Sequence, residues 1–169
     1  MKPTVAILHT LALGLATPAF AKHEPVTMVR LHQEAEVIAP PASVWIFMTT
    51  GKNFVTWCPE WKSSRNAAIN LGRVGDSVEF TDAWGNGGRS VVTYLAKDKE
   101  LRVAHEPTKG DYVCQAKFVL TPTARGTMVR YWDQYTDESP PKDQEATAAK
   151  VEAEMTTTLA ALKKAVEKK

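Results

Sequence analysis

At 169 residues, with 44% hydrophobic and 24% charged side chains, the chain has the size and composition of one domain with a real core. Its 21 Lys and Arg against 19 Asp and Glu leave a formal charge of +2, and no basic run is interleaved with aromatics, which argues against a nucleic-acid partner. Lys163, Lys164, Lys168 and Lys169 are accounted for by the helix end on which they fall.

The first residues read as a targeting segment. Lys2 precedes an apolar run over 5–16, and Ala19 and Ala21 form an A-x-A cleavage pattern. About a dozen apolar residues are too few to span a bilayer, which needs roughly 20. The expectation is a signal peptide at 1–21, cleaved after Ala21, and a single domain at 22–169 that is periplasmic or secreted, monomeric and without stable membrane insertion. In an oxidising compartment Cys58 and Cys114 are a candidate disulfide, which would stabilise the fold by roughly 4 kcal/mol. The alternative is two separate buried thiols.

The domain opens with a strand at 26–38, where Val29, Leu31, Ala35 and Val37 alternate with Arg30, His32, Glu34 and Glu36. Pro40 and Pro41 stop it, and Pro41 suits the first turn of a short helix that crowds Val44, Trp45, Phe47 and Met48 on one side. A second short helical turn follows at 53–57. Strand and turn signals then repeat: strands at 63–69 and 75–84, a glycine-rich hairpin at 85–88, and strands at 89–96, 101–105, 112–120 and 127–135. Val78 and Phe80 share one face of their strand. Leu101, Val103 and His105 alternate in another, and Tyr112, Cys114, Ala116, Phe118 and Leu120 in the next. From Pro140 onward the pattern changes to a helix. Val151, Met155, Leu159, Leu162 and Val166 fall on one stripe, with Ser139 as the expected cap.

This order resembles the START-like helix-grip superfamily, also called SRPBCC, which includes polyketide cyclase/dehydrase-like and lipid-transfer proteins. The likeness is carried by the run from Val37 through Ala39, Pro40 and Pro41 to Val44 and Trp45. It extends to Trp57-Cys58-Pro59, Gly72 and Gly75, Leu120-Thr121-Pro122, Gly126-Thr127 and the segment 159–164. The resemblance implies an α+β fold: a seven-stranded curved antiparallel sheet around a long C-terminal helix, with two short helices after the first strand and a cavity between sheet and helix. It implies no particular activity, because the matching positions are scaffold positions.

A single helix stripe with several Ala and Thr positions does not fill a concave sheet, so a void is expected unless large side chains close it. Trp84, Tyr94, Tyr112, Phe118 and Tyr131 are the candidates for closing it. The polar candidates for the concave face are Asp82, Thr93 or Tyr94, His105, Tyr112 and Asp133. Each is either a ligand-orienting or proton-transferring group or an ordinary polar residue near a strand end. Val78, Phe80, Val103, Met155 and Leu159 would supply apolar wall. Trp45 reads as core, and Trp57 and Trp61 as core or as an aromatic gate. No two histidines stand at metal-binding spacing and the cysteines are far apart in sequence, so no metal and no cofactor are expected. The S-x-x-K match at Ser139 carries two prolines and is attributed to helix capping.

Three functions compete at this level. One is a carrier for a small hydrophobic or amphipathic molecule. Another is a cyclase-, dehydrase- or isomerase-type enzyme using a pocket carboxylate or His as general base. The third is an interaction module with a collapsed cavity and an exposed apolar patch at Phe54, Trp57 and Trp61.

Overall fold

A computed structural model describes residues 26–58, 61, 69–81, 84–109 and 113–168. Within them, strand β1 (Thr27–Val37) is followed by helix α1 (Pro41–Thr49), a 3-10 turn (Gly51–Asn53) and helix α2 (Phe54–Trp57). Strands β2 (Ser77–Thr81), β3 (Gly87–Ala96), β4 (Glu100–Pro107), β5 (Cys114–Pro122) and β6 (Thr127–Asp137) come next, and helix α3 (Pro141–Glu167) closes the chain. The expected targeting segment lies outside the described residues.

The strands form one antiparallel sheet in the order β1-β6-β5-β4-β3-β2. Among the described residues it has six strands rather than the expected seven. The expected strand at 63–69 falls on residues of which only Ile69 is described, and Ile69 is exposed and outside regular structure. The chain thus starts at one edge, crosses to the other through α1 and α2, and meanders back until β6 pairs with β1 along its whole length.

That closing pair depends on Gly126. A methyl group there would overlap the Val37 carbonyl oxygen and come within 2.9 Å of Ile38 Cα and 2.8 Å of the Ala39 nitrogen. All three are backbone atoms of the β1–α1 junction, which Thr127 then ties down by donating its hydroxyl proton to the Ala39 carbonyl at 2.7 Å. Beyond it, Pro41 starts α1 without a side-chain cap, and Val44, Trp45, Phe47 and Met48 are buried, as their spacing predicts.

Helix α3 runs along β1 in the same direction. Near its start, Gln144 Nε2 donates to the Ser139 carbonyl at 2.7 Å and reaches Thr27 Oγ1 at 3.4 Å. Near its end, Lys163 Nζ donates to the Glu36 carbonyl at 2.7 Å, and Glu167 accepts the Ile38 backbone N–H at 2.8 Å. Met155, Leu159, Leu162 and Val166 are buried between these ties. Pro140, not Ser139, occupies the cap position, because the Ser139 hydroxyl is taken by the Asp137 carboxylate.

The outer face of the sheet carries one row across five strands, His32, Trp132, Lys117, Arg102 and Tyr94. His32 stacks on Trp132 at 4.8 Å, Lys117 Nζ lies 4.2 Å from the Trp132 ring centre, and the Arg102 guanidinium lies 4.7 Å from that of Tyr94. Cross-strand pairs of this kind hold register without adding to the core.

Gly126→Ala is expected to destabilise the protein by more than about 2 kcal/mol in urea unfolding, because fixed backbone has to move. Gly72→Ala, whose added carbon meets only Asp76 Oδ2 at 3.8 Å, is expected to stay within about 1 kcal/mol. Equal effects would show that the β1–α1 junction is not the constraint.

Candidate functional site

Much of the concave face is filled. Trp57 and Trp61 are 1% and 2% exposed, and they are core rather than gate. Trp57 meets Trp61 edge-on at 5.4 Å and Phe118 at 5.8 Å, Phe54 meets Trp61 at 4.9 Å, and Phe118 stacks on Tyr131 at 4.3 Å. Val78, Val103, Met155 and Leu159 belong to the same core. The cause is the short helical segment around α2, which presses three large aromatic side chains into the volume that the small residues of α3 leave open. For the same reason no exposed apolar patch exists at Phe54, Trp57 and Trp61.

Tyr94 is on the outer face and 43% exposed. The register between β3 and β4 shifts between Val92 and Tyr94, so Thr93 is an extra residue, and inward alternation passes from Ser90 and Val92 to Leu95. A one-residue bulge inverts every side chain beyond it, and strict alternation misses it. Asp82 and Tyr112 lie outside the described residues. Cys58 and Cys114 stand as two thiols, not as a disulfide. Cys58 is in the core beside α2, whereas Cys114 starts β5 and donates to Asp133 Oδ1 at 3.4 Å.

A pocket of about 250 Å³ remains at the other end, between the first half of α3 and the sheet. Its walls include Phe80, Trp84 and Val151, with Thr147 and Glu154 on the helix side. His105, Cys114, Asp133, Tyr135 and Asp137 make a polar floor. Adjacent strands bring these together, since His105 pairs with Cys114 and Cys114 with Tyr135 in one row, and Ala116 with Asp133 in another. Phe80 is held over the site because its partner is Gly88, where any side-chain carbon would fall 2.5 Å from the ring.

Of the expected pocket residues, Phe80, His105 and Asp133 line this space, and Trp84 stands at its rim with Lys150 Nζ 4.2 Å from its ring centre. Tyr135 and Asp137 were legible as the continuation of the inward series Tyr131 and Asp133. Thr147, Val151 and Glu154 were legible as the helix stripe carried back from Met155.

Burial sets the protonation states. His105 is pushed down to about 4 and is neutral at pH 7. Trp61 Nε1 donates to Ser90 Oγ at 3.1 Å, and Ser90 Oγ lies 2.9 Å from His105 Nδ1. Trp61 only donates, so the Ser90 hydroxyl accepts from it and is held against the His105 ring. Asp133 is raised to about 6 by burial, against the lowering effect of hydrogen bonds from Cys114, Tyr131 and the Gln134 backbone. Tyr135 is pushed up to about 12, first by burial and then by the negative surroundings of Asp137, Asp133, Cys114 and Glu152. Among the described residues the Tyr135 hydroxyl and Asp137 Oδ2 are buried and find no hydrogen-bond partner, as is also true of Trp57 Nε1 in the core and of Asp98 Oδ1. Such atoms are uncommon in a settled interior, and Tyr135 and Asp137 both line the pocket.

An antiparallel sheet gripping a C-terminal helix, with short helices after its first strand, defines a helix-grip protein of the START-like class. The sequence profile of the family described as polyketide cyclase / dehydrase and lipid transport matches residues 28–167, and the chain belongs to that family. Solved structures agree on the fold. A protein of Mesorhizobium loti superposes with a TM-score of 0.64 at 18% identity, covering 83% of this chain and 98% of its own. A dimeric protein of Colwellia psychrerythraea, solved in solution, gives 0.63 at 22% identity, covering 82% and 96%. A protein of Rhodobacter sphaeroides gives 0.60 at 18%, covering 85% and 98%. No curated protein matches the chain.

The two buried titrating groups have opposite effects on stability. Folded Asp133 keeps its proton to about pH 6 while the ordinary carboxylate value is 3.8, so ionising it costs stability as pH rises through that window, by roughly 3 kcal/mol in all. Folded His105 stays neutral down to about pH 4 against an ordinary 6.5, so stability falls as pH drops through that window, by a similar amount. Relative to the wild type, Asp133→Asn is therefore expected to gain stability from pH 4 to 6, and His105→Asn from pH 6.5 down to 4. Urea unfolding across pH 4 to 8 checks both; variant curves that run parallel to the wild type would contradict these burial effects.

Proposed function

We propose that the protein is an exported carrier or binding protein for a small amphipathic molecule, held between the first half of α3 and the sheet. The observation that carries the reading is the pocket of about 250 Å³, apolar in its walls and polar at its floor. An apolar cavity of about 150 Å³ holds benzene, so this space takes a ring with a short substituent. It lies just below the roughly 300–1,000 Å³ of drug-sized sites. Family membership supports a ligand role, and the Lys2, apolar run and Ala19–Ala21 pattern supports export. Among the described residues no helix is long and apolar enough to cross a membrane.

Asp133 favours a second reading. A buried carboxyl near 6, in the same pocket as the neutral His105 ring, is suited to moving a proton at neutral pH, as a cyclase, dehydrase or isomerase requires. In that case Asp133→Asn abolishes turnover and leaves binding in place, whereas a pure carrier shows no turnover in either form.

Native mass spectrometry of the protein from its own exported pool is expected to show a defined small adduct, with the chain starting at Lys22. Val151→Trp, which fills the pocket from α3, is expected to remove the adduct while leaving the unfolding midpoint nearly unchanged. A chain that keeps its first 21 residues would sink the export reading, and an adduct unaffected by Val151→Trp would place the ligand elsewhere.

A further inference from the structure

We infer that this pocket selects small organic cations, protonated amines on a ring-bearing skeleton, over carboxylic acids of the same size; the inference rests on the pocket being the ligand site. Asp133, Asp137 and Glu154 all line it, and among its described lining residues there is no Lys or Arg. The chain as a whole is near neutral, so the acidity belongs to the site and not to the surface at large. The second observation is Tyr135. It is 8% exposed, it lines the same pocket, and its hydroxyl has no hydrogen-bond partner among the described residues. Asp137 Oδ2 is buried beside the site in the same condition, although Asp137 Oδ1 is occupied by Ser139.

Charge, together with donor and acceptor chemistry, decides between ligand classes. An ionised carboxylate only accepts, and an ammonium only donates, three times. A bound ammonium can therefore give a proton to Asp137 Oδ2 or to the Tyr135 oxygen, which find no partner among the described residues. A carboxylate ligand could accept from the Tyr135 hydroxyl, but it would add a further negative charge beside Asp133, Asp137 and Glu154. An alcohol offers one donor and can also accept from the Tyr135 hydroxyl, but it brings no charge to the acidic groups. Among the described residues no three acidic, His or Cys side chains gather as a metal site.

Calorimetric titration of the purified protein at pH 7.5 with 2-phenylethylammonium, 2-phenylethanol and phenylacetate tests this. The ammonium is expected to bind at least tenfold tighter than phenylacetate and severalfold tighter than the alcohol. Asp137→Asn keeps Oδ1 for Ser139 and removes the charge; it is expected to weaken the ammonium about tenfold and leave the alcohol within twofold. Comparable binding of all three, or preference for the alcohol or phenylacetate, overturns the cation inference and leaves the pocket as the ligand site. Failure of all three to bind overturns both.

Discussion

The structure depends on how α3 is fastened. Its C-terminal half is held to β1 by the Lys163 and Glu167 bonds to the Glu36 and Ile38 backbone, and by the burial of Leu159, Leu162 and Val166. Burying three such side chains is worth several kcal/mol, enough to decide where the helix lies. Its N-terminal half carries Thr147, Val151 and Glu154 instead, which leave room above the sheet. One helix therefore acts as a clamp at one end and as a wall at the other.

The aromatic cluster around α2 determines which part of the concave face stays open. Trp57, Trp61 and Phe54 close the space over Phe118 and Tyr131, so the cavity is confined to the end where Phe80, His105 and Asp133 converge. Trp61 serves both regions, since its indole N–H starts the hydrogen-bond path through Ser90 to His105. The packed half of the interior thus orients a polar side chain in the open half.

That arrangement explains how a scaffold common to proteins at 18–22% identity can present a site of its own. The glycine-dependent closure at Gly126 and the Met155–Val166 stripe maintain the grip. The floor residues are held by strand pairing and are buried, so their charge states follow from where they sit more than from which ionisable group they are. His105 is neutral and Asp133 is near its titration point for the same reason, the loss of water around them.

Period and punctuation were enough to read the skeleton from the sequence. The alternation in β1, the Pro41 start of α1 and the stripe of α3 are local patterns, and each produced the expected element, whereas the expected strand at 63–69 has no counterpart among the described residues. Register and filling are not local. The bulge at Thr93 that turns Tyr94 outward, the burial of Trp57 and Trp61, and the separation of Cys58 from Cys114 depend on which strand lies beside which and on how much volume remains between layers. Sequence therefore determined that a helix is gripped by a curved antiparallel sheet. Only the tertiary structure decided which end of that grip is empty, because a void is set by the sum of side chains from distant segments, and no single segment encodes it.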